Sequence, residues 1–173
     1  MAIPATLYHD LRRNGVSYDL IPHPTTSSSR MTARATHVPE ASVAKAVGIK
    51  RKKGFVLAVI PASRQVALRG VGALLADPVC LATEGELQGL FVDCEVGAIP
   101  PLGEPYGIRT IVDRQLRDQD DIYFEGGDHP TVVHLKGGSF RQLMDKVPHR
   151  NICRQPRSNG ALSDPGDICY WGA

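Results

Sequence analysis

A continuous apolar run at residues 54–62, GFVLAVIPA, constrains the fold more than any other stretch of this sequence. It has the length of a strand and does not alternate between polar and apolar residues. Such a run is typical of a strand that is buried on both faces. We therefore expect this strand at the centre of a strand-rich domain.

The length of the chain limits how many domains it can form. Its 173 residues, 42% of them apolar, suffice for one well-buried core and are too few for two ordinary domains. No run approaches the roughly 18 apolar residues of a membrane span, and the first residues lack the layout of a signal peptide. We expect one domain over residues 1–150, with a cytoplasmic location and no membrane partner.

Other segments carry patterns of helices and strands on both sides of the apolar run. The capping-box pair Thr83 and Glu86 predicts a short helix over residues 82–91, and Ser139 is the expected cap of a last helix. Further helices are expected within residues 4–15, 30–40 and 66–78, and strands within 16–23, 107–113, 121–129 and 131–138. Together, these helices and strands predict a mixed α+β domain.

The cysteines and the end of the chain give weaker signals. The four cysteines lie far apart without CxxC or CxxH pairs, which predicts thiols and neither a zinc knuckle nor a disulfide scaffold; they are Cys80, Cys94, Cys153 and Cys169. Residues 151–173 show no sustained periodicity, so we expect an irregular tail. Its Tyr170-Trp171 pair could cover an apolar surface, meet a partner or be disordered.

The positive charge is concentrated in the first third of the chain. Residues 1–60 carry nine Lys and Arg against three Asp and Glu, whereas residues 61–140 carry six against twelve. The densest cluster is KRKK, which comprises Lys50, Arg51, Lys52 and Lys53. Beside a functional cleft this cluster would attract a phosphate-bearing ligand, and elsewhere it would be a solvated loop.

The stretch EVGAIPPLG at residues 95–103 combines two glycines with two adjacent prolines. Because proline has no N–H group, a strand that reaches Pro100 and Pro101 must become a loop there. Gly97 permits a positive φ or a close approach of a ligand, while the prolines hold the remaining N–H groups in fixed directions. Such a loop suits the binding of a carbonyl or an oxyanion, and the alternative is an ordinary rigid turn.

These features in this order resemble the YbaK/prolyl-tRNA synthetase-associated editing domains. The similarity covers roughly residues 1–147 and includes VAKAV with its central lysine, GFVLAVIP, the Gly-x-x-x-Pro loop Gly97 to Pro101, and YFEGGDHPTVVHL. The resemblance implies a central mixed, β-barrel-like sheet flanked by helices. It also implies hydrolysis in trans of mischarged aminoacyl-tRNA, typically tRNA for proline that bears alanine or cysteine.

The resemblance assigns roles to individual residues. Lys45 would contact the 3′-terminal adenosine and its phosphate, and the alternative is a lysine that extends from a strand edge into solvent. The amides of Gly97, Ala98 and Ile99, before Pro100 and Pro101, would hold the ester carbonyl and the attacking water. Gly127 and His129, which lie in one glycine-and-histidine segment, would line the amino-acid pocket, and the alternative for His129 is an ordinary turn residue after Asp128. His134 is expected to be structural.

The expected chemistry needs neither a nucleophilic side chain nor a metal. An aminoacyl ester is already activated, so holding the carbonyl and a water molecule can supply much of the acceleration. The sequence has no GxSxG elbow, its serines at 27–29 lie in a polar loop without an identifiable base, and His23, His37 and His149 lack HExxH spacing. We expect no metal and no cofactor.

The expected partner is the acceptor end of aminoacyl-tRNA, with a synthetase or an elongation factor as further candidates. Two alternatives stay open: a non-catalytic module that binds the tRNA acceptor end or a protein, and an acyl hydrolase that acts on small esters. Only tRNA recognition predicts a strong dependence on salt, because salt competes with phosphate contacts. The residues do not decide which amino acid is removed.

Overall fold

Five α-helices, three short 3-10 helices and eleven strands make up the regular structure of residues 3–156 and 168–171, the part of the chain described by this computed structural model. The α-helices are α1 (Ala5–Arg13), α2 (Ser29–Ala35), α3 (Leu68–Leu75), α4 (Glu84–Leu90) and α5 (Gly137–Leu143). Among the described residues, no helix has the length and apolar character needed to cross a membrane.

The strands form three separate sheets. They are β1 (Asp19–Pro22), β2 (Ala44–Arg51), β3 (Phe55–Pro61), β4 (Gln65–Val66), β5 (Val79–Leu81), β6 (Arg109–Asp113), β7 (Asp121–Glu125), β8 (Thr131–Lys136), β9 (His149–Arg150), β10 (Cys153–Arg154) and β11 (Cys169–Tyr170). The largest sheet has the order β11-β5-β2-β3-β6-β9; the others are β1-β8-β7 and β10-β4. Both parallel and antiparallel pairs occur in the largest sheet.

The mixed α+β class is therefore confirmed, whereas the barrel-like closure is not. One isolated bridge, between Val43 and Tyr123, links the start of β2 to β7 of the three-stranded sheet. None of the three sheets in the described part of the chain closes on itself.

The central position predicted for the apolar run is confirmed by the packing of β3. Its side chains alternate between two apolar clusters, as the two faces of a strand require. Leu57 and Val59 belong to the larger cluster, which includes residues of α1, β7, β8 and α5. Val56, Ala58 and Ile60 belong to the second cluster, which includes residues of α3. Burial of both faces explains why this strand has no polar alternation.

The predicted helix caps are correct for α4 and wrong for α5. The capping box of α4 is present, since Thr83 accepts a hydrogen bond from the Glu86 N–H and the Glu86 carboxylate accepts one from the Thr83 N–H. The cap predicted at Ser139 is wrong, because α5 already begins at Gly137. A Cβ atom at Gly137 would lie 2.0 Å from the Gln119 carbonyl oxygen, so a glycine is needed where this helix starts.

The expected set of four thiols is also wrong, because Cys80 and Cys169 form a disulfide bond across 89 residues of sequence. Cys94 and Cys153 are free. The described parts of the tail contain β10 and β11, which pair with β4 and β5 and so differ from the irregular segment that was expected. Pairing between distant segments, rather than any local pattern, creates these short strands.

Candidate active site

One edge of β2 is open over its first half. β3 pairs with β2 from residue 44 to residue 50, but β5 pairs only with Ile49–Arg51 on the other side. The carbonyl of Gly48 accepts a hydrogen bond from the Ala82 N–H at 2.9 Å, and backbone groups alternate along a strand. The N–H and C=O groups of Ala46 therefore point to the same open side, where no described strand pairs with residues 44–47.

A cavity of about 360 Å³ lies at this open edge. Three segments outside the helices and strands converge on it: the loop before α2, the loop around residue 97, and the turn between β7 and β8. Its lining consists of Thr26, Ser27, Ser28, Ser29, Ala44, Lys45, Ala46, Glu84, Val96, Gly97, Ile99, Glu125 and His129. The fold thus brings four of the predicted site residues to one cavity, namely Lys45, Gly97, Ile99 and His129.

The side chain of Lys45 supplies a positive charge to the wall of this cavity. Burial lowers the pKa of Lys45, and the positive charge of Arg30 lowers it further. Arg30 itself forms an ion pair with Glu40 at 2.8 Å. Within the described residues the Lys45 ammonium makes neither a hydrogen bond nor an ion pair, so its three donors are available to a ligand.

Burial and hydrogen bonds to the β7–β8 turn, in addition to the two prolines, hold the loop at residues 96–102 in place. Gly97 has a φ of +84°, and Ala98 is fully buried. The loop is tied to the β7–β8 turn, because the Glu95 N–H donates to the Gly127 carbonyl at 2.8 Å and His129 Nε2 donates to the Val96 carbonyl at 2.8 Å. Pro100 and Pro101 are buried and do not line the cavity.

The amides of this loop are only partly available. The Ala98 N–H donates to the Glu95 carbonyl at 3.1 Å, so the predicted role of that amide in holding substrate lacks geometric support. The N–H groups of Gly97 and Ile99 donate to no other group in the described part of the chain. The segment before the loop also differs from the expected strand, since residues 91–97 are turns that follow α4.

The two predicted residues of the β7–β8 turn have different positions. His129 lines the cavity, and its hydrogen bond to the Val96 carbonyl fixes a proton on Nε2, because a carbonyl can only accept. Gly127 does not line the cavity. It has a φ of +97°, and a Cβ atom there would lie 2.1 Å from Cγ of Pro4. Gly127 therefore supports the turn through packing, while His134 bonds to Asp19 and Asp121 away from the cavity.

Sequence reasoning missed Glu125, a carboxyl group in the wall of the cavity. Its Oε1 accepts a hydrogen bond from the Thr32 hydroxyl at 2.8 Å, whereas its Oε2 is buried without a partner among the described residues. His23 Nε2 and Asp128 Oδ1 are also buried without partners in that part of the chain. The only sequence signal was the position of Glu125 directly before Gly126 and Gly127, which is too weak to identify a site.

We expect Glu125 to make the stability of the protein depend on pH. Burial raises the pKa of Glu125, and the hydrogen bond from Thr32 offsets this only in part. The unfolded chain loses the proton of this carboxyl group above about pH 4.3, whereas the folded protein keeps it to a higher pH. The free energy of unfolding therefore falls as the pH rises from about 4.3 to the raised pKa of Glu125 in the folded protein. Glu125→Gln should therefore be more stable than the wild type near neutral pH and similar to it at about pH 4.

Urea unfolding of both proteins across this pH range measures the difference. His23, Asp128 and His129 face Glu125, so the difference between the two proteins reports the Glu125 carboxylate together with its interactions with these neighbours. A difference in the free energy of unfolding that stays constant with pH would contradict the assignment.

The basic cluster at residues 50–53 does not line this cavity. Lys50 forms an ion pair with Glu86, and Arg51 forms one with Asp77 at 2.9 Å. A strand rises about 3.3 Å per residue, so Arg51 lies about 20 Å along β2 from Lys45. The prediction that this cluster binds substrate stays a prediction, and its place is a separate cavity at the far end of β2.

The polar loop before α2 forms one wall of the cavity. Ser28 caps α2 by accepting a hydrogen bond from the Met31 N–H at 3.3 Å. The Ser27 hydroxyl contacts the sulfur atom of Met31 at 3.2 Å. In the described part of the chain no serine of this loop bonds to a histidine, so the site lacks a base-activated serine there.

Solved structures share this architecture over most of the chain. The hypothetical protein APE2540 superposes with a TM-score of 0.77 at 20% sequence identity, covering 86% of this chain and 99% of the other. A protein described as "a putative trans-editing enzyme for prolyl tRNA synthetase" superposes with a TM-score of 0.75 at 17% identity, covering 86% and 95%. The fold is that of the YbaK-like editing domains.

The sequence also matches a family model. The model for the aminoacyl-tRNA editing domain matches residues 23–143, which include the whole cavity lining. The chain therefore belongs to the YbaK family of aminoacyl-tRNA editing domains. A search of curated proteins gives no significant match.

Proposed function

We propose that this protein hydrolyses the ester bond of mischarged aminoacyl-tRNA in trans. The observation that carries the proposal is made in a chain of the editing family. One cavity is lined by Lys45, which has no partner among the described residues, and by Gly97 and Ile99, whose N–H groups donate to no other described group. The similarity to a structure described as a trans-editing enzyme supports prolyl-tRNA as the first substrate to test, bearing alanine or cysteine.

The proposed roles follow from charge and hydrogen-bonding capacity. The Lys45 ammonium binds the 3′-terminal adenosine and its phosphate, since a mobile point charge suits a phosphate oxygen. The N–H groups of Gly97 and Ile99 hold the ester carbonyl oxygen and stabilise the negative charge that develops on it. His129 holds the loop in place through Val96 and limits the room beside the amino-acid side chain.

The nucleophile in this proposal is water. Its oxygen attacks the ester carbonyl carbon, the bond between that carbon and the ribose oxygen breaks, and the ribose oxygen takes up a proton. The products are the free amino acid and deacylated tRNA. No metal ion is needed for these steps, and no three His, Cys, Asp or Glu side chains among the described residues are grouped to hold one.

A deacylation panel tests the proposal. tRNA for proline is charged separately with proline, alanine, cysteine and serine, and the release of each amino acid is measured with and without the protein. Selective release of one non-cognate amino acid supports editing and identifies the substrate. Binding of charged tRNA without release indicates the non-catalytic module, and equally fast hydrolysis of simple aminoacyl ethyl esters indicates the small-ester hydrolase.

A further inference from the structure

Three cavities follow one another along β2 and share lining residues. The candidate active site shares Lys45 and Ala46 with a second cavity of about 320 Å³. The second cavity shares Leu81 with a third one of about 630 Å³, which Lys50, Arg51, Lys52 and Trp171 also line. A flexible polymer that enters the active site at Lys45 can therefore follow these cavities from the open first half of β2, past β5, to Trp171.

The backbone of Trp171 is held against the largest sheet. Cys169 is linked to Cys80 by the disulfide bond, and Tyr170 pairs with Val79 of β5. The ring of Tyr170 occupies the space above Gly72, where a Cβ atom would lie 2.3 Å from Cδ1 of the ring. The residue after these anchors, Trp171, is nevertheless 74% exposed. The indole is thus placed at a defined position and remains open to solvent.

The charge beside Trp171 favours an anionic ligand. Glu86 and Asp77 pair with Lys50 and Arg51. Lys52 and Lys53 are exposed, and neither forms an ion pair in the described part of the chain. Lys52 lines one cavity with Trp171, and Lys53 follows it in sequence. An exposed aromatic ring near lysines without ion pairs matches the combination that binds single-stranded nucleic acid, in which bases stack on aromatic side chains and phosphates pair with cations.

We propose that this Trp171 surface, which comprises Trp171, Lys50, Arg51, Lys52 and Lys53, binds the single-stranded part of a nucleic acid whose end occupies the active site. A base stacks on the indole of Trp171, and Lys52 and Lys53 contact phosphates. The identity of the nucleic acid as tRNA rests on the proposed function. The stacking site itself requires only single-stranded RNA.

Intrinsic fluorescence offers a direct test, because Trp171 is the only tryptophan of the sequence. The protein is titrated with deacylated tRNA, with a short single-stranded RNA of the acceptor-strand sequence, and with a duplex RNA of equal length. We expect saturable quenching by the tRNA and the single strand and little quenching by the duplex, whose bases are already stacked. Absence of quenching while the RNA binds by another measurement would overturn the proposal.

Two variants separate stacking from charge. Trp171→Ala should raise Kd for the single strand by about 5- to 150-fold, whereas the matched control Val92→Ala, which also removes an exposed apolar side chain, should leave it unchanged. The slope of log K against log salt is negative, and the double variant Lys52→Gln/Lys53→Gln should make it less negative by about 1.4. Its control, Arg12→Gln/Arg13→Gln on α1, removes the same charge elsewhere and should leave the slope unchanged. An equal effect of each variant and its control overturns the proposal.

These experiments distinguish failure of the Trp171 surface from failure of the proposed deacylase function. Quenching and loss of affinity in Trp171→Ala, in a protein that deacylates none of the charged tRNAs, would support the surface and reject the deacylase. Deacylation that proceeds with an unchanged KM in Trp171→Ala, without quenching in the wild type, would support the deacylase and reject the surface. A surface that instead captures a protein partner would show no RNA-dependent quenching, which also rejects the proposal.

Discussion

Replacement of Lys45 by alanine is expected to lower kcat/KM for deacylation by about 100-fold, because the variant loses the charge that binds and positions the 3′-terminal phosphate. The ammonium lies half-buried without a partner among the described residues, and burial lowers its pKa. The folded protein gains nothing from this charge, so Lys45→Ala should retain or slightly increase the free energy of unfolding. Single-turnover deacylation and urea unfolding measure the two quantities.

Two control variants make this expectation specific. Lys45→Met keeps most of the side-chain volume and removes the charge, so it should lose as much activity as Lys45→Ala. Lys136→Ala removes an exposed lysine that pairs with Asp121 outside the cavity, and it should keep full activity. Loss of activity that is accompanied by a matching loss of stability would show that Lys45 acts through the fold and not on the substrate.

Replacement of Gly97 by alanine is expected to lower kcat by about 100-fold while it reduces the free energy of unfolding by only about 1–2 kcal/mol. Gly97 has a φ of +84°, which disfavours any residue with a Cβ atom. Space is not the obstacle, because the nearest side-chain atom to that Cβ atom would be Cε1 of His129 at 3.6 Å, an ordinary contact. The loop would relieve the strain by moving the N–H groups of Gly97 and Ile99.

Gly15→Ala is the matched control for this backbone effect. Gly15 follows α1 with a φ of +63°, and a Cβ atom at this position would have no neighbour within 4 Å, so the variant carries the same kind of penalty far from the cavity. It should lose similar stability and keep its activity. Equal losses of kcat in both variants, measured at saturating substrate, would mean that the loop amides have no special role.

Much of the secondary structure was predictable because its causes are local. The apolar run of β3 and the capping box of α4 depend on residues that are neighbours in sequence, and both appear as expected. The start of α5 was not predictable, since it depends on the close approach of Gln119 to Gly137. The residues of α5 themselves carry no sign of that contact.

The resemblance predicted the site residues Lys45 and His129, and the glycine and prolines of the loop at residues 95–103 had already indicated Gly97. Lys45, Gly97 and His129 meet at one cavity, although 84 residues of sequence separate the first from the last. Glu125 and the polar loop before α2 were not predicted, because a single carboxylate or a run of serines has the same composition on any solvated surface. Their position in the wall of the cavity is what distinguishes them.

The α+β class, the central strand and the residue types available for the site could be predicted from sequence, because side-chain patterns within a few residues decide which local structures are stable. Which groups remain free depends on how the segments pack together in the folded chain. The tertiary structure left the edge of β2 open where β5 ends, occupied the Ala98 N–H, and joined Cys80 to Cys169 so that Trp171 lies beside the basic cluster. These outcomes depend on contacts between segments far apart in the chain, which no local pattern records.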